Sequence, residues 1–227
     1  MLGTGCCAVP DTVRLTRRAL EAGIHSALVL PPFYYKNVDD NGLYAAFASV
    51  IDQVADARLK VYIYHFPQMT GLQISHDLIA RLLAAYPETV VGLKDSSGDW
   101  SNMATMLERF PGFGVFAGSE KFLLADLEAG GPGCISASTN LTAPVAAEVY
   151  AGWQGPGGPA LQERLTGLRN ILEGYPMIPA LKALMAAYSG DPAWLNVRPP
   201  FLTLDEGRAR ELVAKLDAAS FRPALAA

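Results

Sequence analysis

Lys94 lies in "VVGLKDSSGDW" (residues 90–100), at the end of a run of apolar or side-chain-free residues and just before a polar, turn-forming cluster. A bare ammonium at the end of a buried strand is costly, because desolvation disfavours the charged form of a lysine. A neutral amine is a nucleophile. It adds to a ketone or aldehyde to form a Schiff base, whose protonated nitrogen draws electrons from the neighbouring carbon–carbon bond. The same position also suits a lysine whose stem is buried while its head reaches solvent or pairs with Asp95, so position alone leaves both readings open. Tyr64 lies in "YIYHFP", where period-two alternation puts Tyr62, Tyr64 and Phe66 on one face and Ile63 and His65 on the other. A tyrosine facing the lysine can relay protons to and from a carbinolamine; the alternative is a packing aromatic whose hydroxyl is satisfied locally. His25, His65 and His76 share no common spacing and are expected to be structural. Asp95 and Asp99 lack the second carboxylate cluster of a metal site, so neither a metal nor a cofactor is expected.

These side chains need strands to hold them. Short Val-, Ile- and Leu-rich runs alternate with helical patterns about a dozen residues long, the pattern of βα units around a parallel sheet. The candidate strands are "LGTGCC", "SALVLPP", "KVYIYHF", "VVGLKD", "FGVFAG" and "GCISAS", six in all. Helices are expected to start near Asp11, Asn41, Ser75, Asp99, Glu120 and Asn140, several of them cap-forming residues. Beyond the sixth run only helical patterns follow, including "PALQERLTGLRNILEGY", "IPALKALMAAY" and "LDEGRARELVAKLDAA". The expected organisation is a partial (β/α) barrel over 1–155 and a helical region over 156–227. Six parallel strands fit either an open doubly wound sheet or part of an eight-stranded barrel. "GTGCCAVPD" lacks the third glycine of a dinucleotide fingerprint, which leaves an open-sheet enzyme with an unrelated cofactor little support.

Ligands meet the C-terminal ends of parallel strands in both architectures. Tyr34, Tyr35, Tyr64, His65, Lys94, Gly118, Ser119, Ser136 and Ser138 are found there. The net charge of −4, from 18 basic and 22 acidic residues without a like-charge run, is not the footprint of a nucleic-acid binder. Apolar stretches are interrupted before the roughly 20 residues a membrane span needs, and the N-terminus has no basic leader followed by an apolar core. A soluble, cytoplasmic protein with a small-molecule partner is expected. Cys6, Cys7 and Cys134 are expected to be buried thiols.

With these residues placed, the chain resembles the dihydrodipicolinate synthase and N-acetylneuraminate lyase family of class I, Schiff-base-forming aldolases. "PPFYYK" resembles the family's PP-Y-Y segment, "YHFPQMTG" its Y-N-x-P-x-x-TG segment, "VGLKDSSGD" its G-x-K-D-x-(S/T)-G-(D/N) segment and "GGPGCISASTN" its GG-x-G-x-IS-x-x-x-N segment. "IPALKALM" followed by "VRPPF" is similar to its C-terminal helices. The resemblance implies a (β/α)8 TIM-barrel fold with a C-terminal helical extension, Lys94 as the Schiff-base lysine and Tyr64 as the proton-relaying tyrosine. It implies that Tyr34 reaches into a neighbouring subunit's site across a tight dimer, with Phe33 in the place of the first tyrosine. It also puts Gly118 and the backbone of Ile135 beside a bound 2-oxo acid, with Ser119 and Ser136 as further lining residues. Dimers pairing into tetramers are the family's habit, and a 2-oxo acid and an aldehyde are the implied partners.

The pattern departs from the family in two places. Where the synthase carries an arginine for its substrate's carboxylate, this chain has Met69, which offers no charge-assisted hydrogen bond; strict 4-hydroxy-tetrahydrodipicolinate synthase activity is therefore disfavoured. His65 also replaces a frequent asparagine. The second departure is that "MLGTGCC" resembles the family's third strand, so the six candidate strands correspond to strands three to eight of eight. The family's G-T/S-T/S-G-E motif, which holds the pyruvate carboxylate, has no counterpart in the sequence. The barrel is expected to be incomplete, with two sheet edges and part of an apolar interior uncovered. The expected origin is a truncated product or a start at an internal methionine. Two functional expectations follow: an aldolase or lyase acting on pyruvate or a related 2-oxo acid, or a truncated, inactive family member that acts at most as an oligomerising fragment.

Overall fold

A computed structural model describes residues 1–223. The chain forms two compact units, one of residues 1–118 and 129–132, the other of 119–128 and 133 onward. These are packing units, whereas the expected 155/156 boundary separates kinds of architecture.

The first unit is built on five parallel strands in sequential order, β1 (Leu2–Gly3), β2 (Ser26–Val29), β3 (Lys60–His65), β4 (Val90–Asp95) and β5 (Gly114–Ala117). Between them run α1 (Val9–Glu21), α2 (Asp40–Val54), the single turn α3 (Pro67–Thr70), α4 (His76–Ala85) and α5 (Trp100–Arg109). Three of the helices begin on side-chain caps. Asp39 accepts from the Gly42 amide, Ser75 from that of Leu78 and Asp99 from that of Ser101, each supplying a partner to an otherwise orphaned donor.

Alternation along the strands sorts the side chains. Ala27, Val29, Val61, Ile63, Leu93, Val115 and Ala117 are buried, as are Leu43, Phe47, Leu78, Ile79, Leu82, Met103 and Met106 of the helices. On the opposite face Leu28, Tyr62, Tyr64, Lys94 and Phe116 are half-buried. Gly92 makes that face possible. A Cβ there would lie 2.5 Å from the Gly114 carbonyl oxygen and 2.6 Å from the Tyr62 ring, so only glycine lets the ring cross the strand. Tyr62 then meets Phe116 edge-on at 5.8 Å.

The second unit is helical. It contains a 3-10 turn (Glu120–Phe122), α6 (Leu123–Glu128), α7 (Thr139–Gly152), α8 (Gly158–Glu173), α9 (Met177–Ser189), a second 3-10 turn (Pro192–Leu195) and α10 (Glu206–Ala218). Its core gathers Leu141, Val145, Val149, Leu165, Leu168, Leu172, Leu184, Leu212 and Leu216.

Three expectations change. The described residues contain five strands, not six, and "GCISAS" keeps only one bridge residue, Cys134. Pro132 has no amide to donate, Gly133 sits at φ 121°, and the carbonyls of Ala137 and Ser138 accept from the amides of Asn140 and Leu141, which start α7 instead of extending a ladder. The first strand is two residues long, not the six of "LGTGCC". The thiols are not buried: Cys7 is exposed, and Cys6 and Cys134 are half-buried.

Candidate active site

Tyr64 and Lys94 are register partners on β3 and β4, one rung before the strands end. The shared parity of that rung turns both side chains to the same face. Lys94 Nζ lies 2.8 Å from Tyr64 Oη and 4.2 Å from the centre of its ring. An ammonium donates to the phenol oxygen in this geometry, and a neutral amine can accept the phenol's proton along the same line. Phe66 stacks on Tyr64 at 5.6 Å and fixes the ring.

Asp95 is not the partner of Lys94. It is one residue on and faces the helices, 1% exposed. There its carboxylate accepts from His65 Nδ1 at 3.2 Å, Asn102 Nδ2 at 2.6 Å and the Ser97 amide at 2.7 Å. Burial pushes the Asp95 carboxyl up, but the hydrogen bonds from His65 and Ser97 outweigh it and hold the group below the usual carboxylate range. His65 Nε2 meets the Gln73 side chain at 3.1 Å, and Asn102 in turn meets His76 Nε2 at 2.9 Å. Two of the three histidines thus belong to one network behind the lysine. The parity of His65 with Asp95 was the available signal, since each follows a candidate catalytic residue by one.

Gly118 closes the end of β5. Its amide donates to the Asp95 carbonyl at 2.6 Å, and a Cβ would lie 2.2 Å from Ser96 Oγ. Met69 is 71% exposed on α3. That turn is held at both ends, where Lys36 Nζ donates to the Thr70 carbonyl at 2.6 Å and Gln68 Nε2 to the Ser97 carbonyl at 2.5 Å. Lys36 also reaches the Phe33 carbonyl, which ties "PPFYYK" to the Met69 turn. Tyr34 and Tyr35 stand out from that loop, 73% and 74% exposed, packed edge-on to each other at 5.2 Å.

Ser119, Ile135 and Ser136 belong to the second unit. Ser119 caps the first 3-10 turn, and Ile135 is half-buried. The Ser136 hydroxyl is taken by Glu120, Ser138 and Arg169. Glu120 is fully buried and also accepts from Ser138, Thr142 and Arg169, so its charge is met on every side. A glutamate with that many partners was not legible in "GSEKF".

The model of the dihydrodipicolinate synthetase family matches residues 1–219, and the chain belongs to that family. An uncharacterised DapA-like lyase of Chloroflexus aurantiacus is 37% identical over 219 residues, which are 96% of this chain and 71% of the relative. The crystal structure of dihydrodipicolinate synthase from Agrobacterium tumefaciens superposes with a TM-score of 0.86 at 32% identity, over 97% of this chain and 75% of that one. YagE of Escherichia coli K12, described as a putative 2-dehydro-3-deoxy-D-gluconate aldolase, is 30% identical over 93% of this chain and 71% of its own length. Its structure in complex with pyruvate gives a TM-score of 0.87. The α/β fold therefore matches TIM-barrel structures of the family over most of the chain, which is shorter than these relatives. No helix among the described residues is long and apolar enough to cross a membrane.

Proposed function

We propose that the chain is a lysine Schiff-base lyase or aldolase whose substrate is pyruvate or a related 2-oxo acid. The observation that carries this reading is the 2.8 Å contact between Lys94 Nζ and Tyr64 Oη at the C-terminal end of a parallel sheet. The Lys94 amine attacks the 2-oxo carbon, forming a carbon–nitrogen bond and a carbinolamine. Tyr64 then delivers a proton to the hydroxyl, which leaves as water. The iminium accepts the electron pair from the adjacent carbon when a carbon–carbon bond breaks, or stabilises the enamine that attacks an aldehyde when one forms. Water hydrolyses the product imine and frees the lysine.

Gly118, Ser119, Ser136 and the Ile135 backbone are assigned to the 2-oxo acid by resemblance to the family. Ser136 is the weakest of these, since its hydroxyl is already engaged. Tyr34 is assigned to a neighbouring copy's site in a homodimer or homotetramer, which suits a tyrosine so exposed. Met69 assigns the aldehyde side a less anionic substrate than the synthase takes, and the protein is placed in the cytoplasm. Incubation with pyruvate and borohydride is expected to give one adduct, mapped by mass spectrometry to Lys94 and absent in Lys94→Met. Tyr64→Phe is expected to slow trapping by about 100-fold or more, the usual weight of a positioned proton donor. A folded chain that yields no Lys94 adduct at saturating pyruvate defeats this reading.

A further inference from the structure

We propose that His65 and Asp95 form a register lock for the rung that carries Tyr64 and Lys94, acting as positioning residues rather than catalytic ones. The proposal deepens the Schiff-base reading and rests on it for its catalytic consequence.

The β3–β4 ladder is not continuous. Val61 pairs with Val90, but the next residue, Tyr62, pairs with Gly92, so β4 carries one extra residue at Val91. Beyond this irregularity the register holds for four rungs, Tyr62–Gly92, Ile63–Leu93, Tyr64–Lys94 and His65–Asp95. A slip of one residue in that half moves every side chain to the other face. Lys94 would turn to the helices and Asp95 to the Tyr64 side, and the nucleophile would be lost without any change in composition.

Burial of Leu93 opposite Ile63 resists such a slip, but beyond the irregularity it is the one apolar pair on that face. The last rung resists it specifically. His65 is 3% exposed and Asp95 1%. Asp95 is ionised and only accepts, so the facing His65 Nδ1 carries the proton that bonds it. Its other acceptor sites are filled by the Ser97 amide and by Asn102 of α5, which is held in turn by His76 of α4. The backbone continues the same register, with the Ser96 amide donating to the His65 carbonyl at 2.8 Å. A slipped strand would take the carboxylate off three donors, leave those donors unmet among the helices and put Lys94 in their midst, which is the situation in which buried polar networks specify one arrangement.

The test compares His65→Leu, which removes the donor, with His65→Asn, whose side-chain amide keeps one N–H within reach of Asp95. Two quantities are read in the full chain: brief borohydride trapping on Lys94 as a function of pyruvate concentration, and hydrogen exchange of the backbone amides of residues 62–66 and 91–97. In His65→Leu the pyruvate concentration for half-maximal trapping is expected to rise about tenfold or more, because a competing register holds most of the population and pyruvate must draw it back. The trapped fraction at saturating pyruvate changes little, and exchange in the two segments speeds up. His65→Asn is expected to recover both readouts to near the original chain. The lock is overturned if folded His65→Leu traps and exchanges like the original, or if His65→Asn is as impaired as His65→Leu. Should His65→Leu not fold, Asn102→Ala carries the same two measurements; it strips one donor from Asp95, a smaller shift in the same direction is expected, and no shift rejects the lock. If the original chain forms no adduct, the Schiff-base reading fails, and the exchange comparison still decides the lock.

Discussion

An amine beside a carboxylate is held as an ammonium; an amine beside a phenol has a proton relay instead. At Lys94 the phenol is present and the carboxylate is turned away, because Tyr64 shares its rung while Asp95 belongs to the next. This much was legible in the sequence, since period-two alternation puts Tyr64 and not His65 on one face and family-like motifs single out the same two residues. What stayed illegible was the business of the polar side chains nearby. A serine next to a proposed substrate looks available in "GCISAS", yet the Ser136 hydroxyl is committed to a glutamate sixteen positions earlier, a pairing that no local spacing encodes. Met69 is different, because its exposure leaves it free to act through what it lacks. Met69→Arg is expected to shift preference toward anionic aldehydes, by a factor of about 10 if the new guanidinium makes one charge-assisted hydrogen bond. The check is kcat/KM for a charged and a neutral aldehyde. An unchanged ratio removes Met69 from the acceptor site.

Among the elements, β4 is where the sequence both said most and hid most. "VVGLKD" was evident as a strand, but nothing in it announced that Val91 is an extra residue in the ladder or that Gly92 exists to make room for a ring on the neighbouring strand. Such features depend on which residue of β3 stands opposite, and that is settled only by pairing. The sixth run failed where chain reversal starts early: Gly133 and Pro132 were visible, but the turn bonds from Asn140 and Leu141 to the carbonyls of Ala137 and Ser138 were not. Gly92→Ala probes the close approach directly. Its Cβ would meet a backbone carbonyl at 2.5 Å as well as the Tyr62 ring at 2.6 Å, and the carbonyl cannot swing aside as a side-chain end can. A loss of about 1–3 kcal/mol in denaturant unfolding is expected, the usual cost of forcing extra volume into a packed site. Trapping on Lys94 should fall with it, because the displaced ring lies two residues from Tyr64. A variant as stable as the original would show that β4 has slack at this point.

Across the molecule, the two units answer to acid and base in opposite directions because each buries a different kind of aspartate. In the first, Asp95 is hydrogen-bonded as a carboxylate with its native pKa lowered. It contributes stability above the unfolded value of 3.8, and that contribution is lost as pH falls through the lowered native value. In the second, Asp126 is fully buried; its Oδ2 accepts from the Gly133 amide at 2.7 Å, and Oδ1 has no hydrogen-bond partner among the described residues. Burial pushes its carboxyl up to about 7 from 3.8. Between those values the unfolded chain releases a proton that the folded one retains, so stability falls as pH rises from about 4 to about 7 and is level above that. The full span is worth at most roughly 4 kcal/mol by linkage. Asp126→Asn keeps an oxygen for Gly133 and cannot ionise. Near pH 4 it should be about as stable as the original, since the protonated acid also leaves a donor unmet. At pH 8 it should be more stable by a few kcal/mol, with slower hydrogen exchange in α7, α8 and α10 and unchanged exchange in β3 and β4. Unfolding curves for the two proteins that stay parallel from pH 4 to pH 8 would show that Asp126 ionises in the folded chain as freely as in the unfolded one.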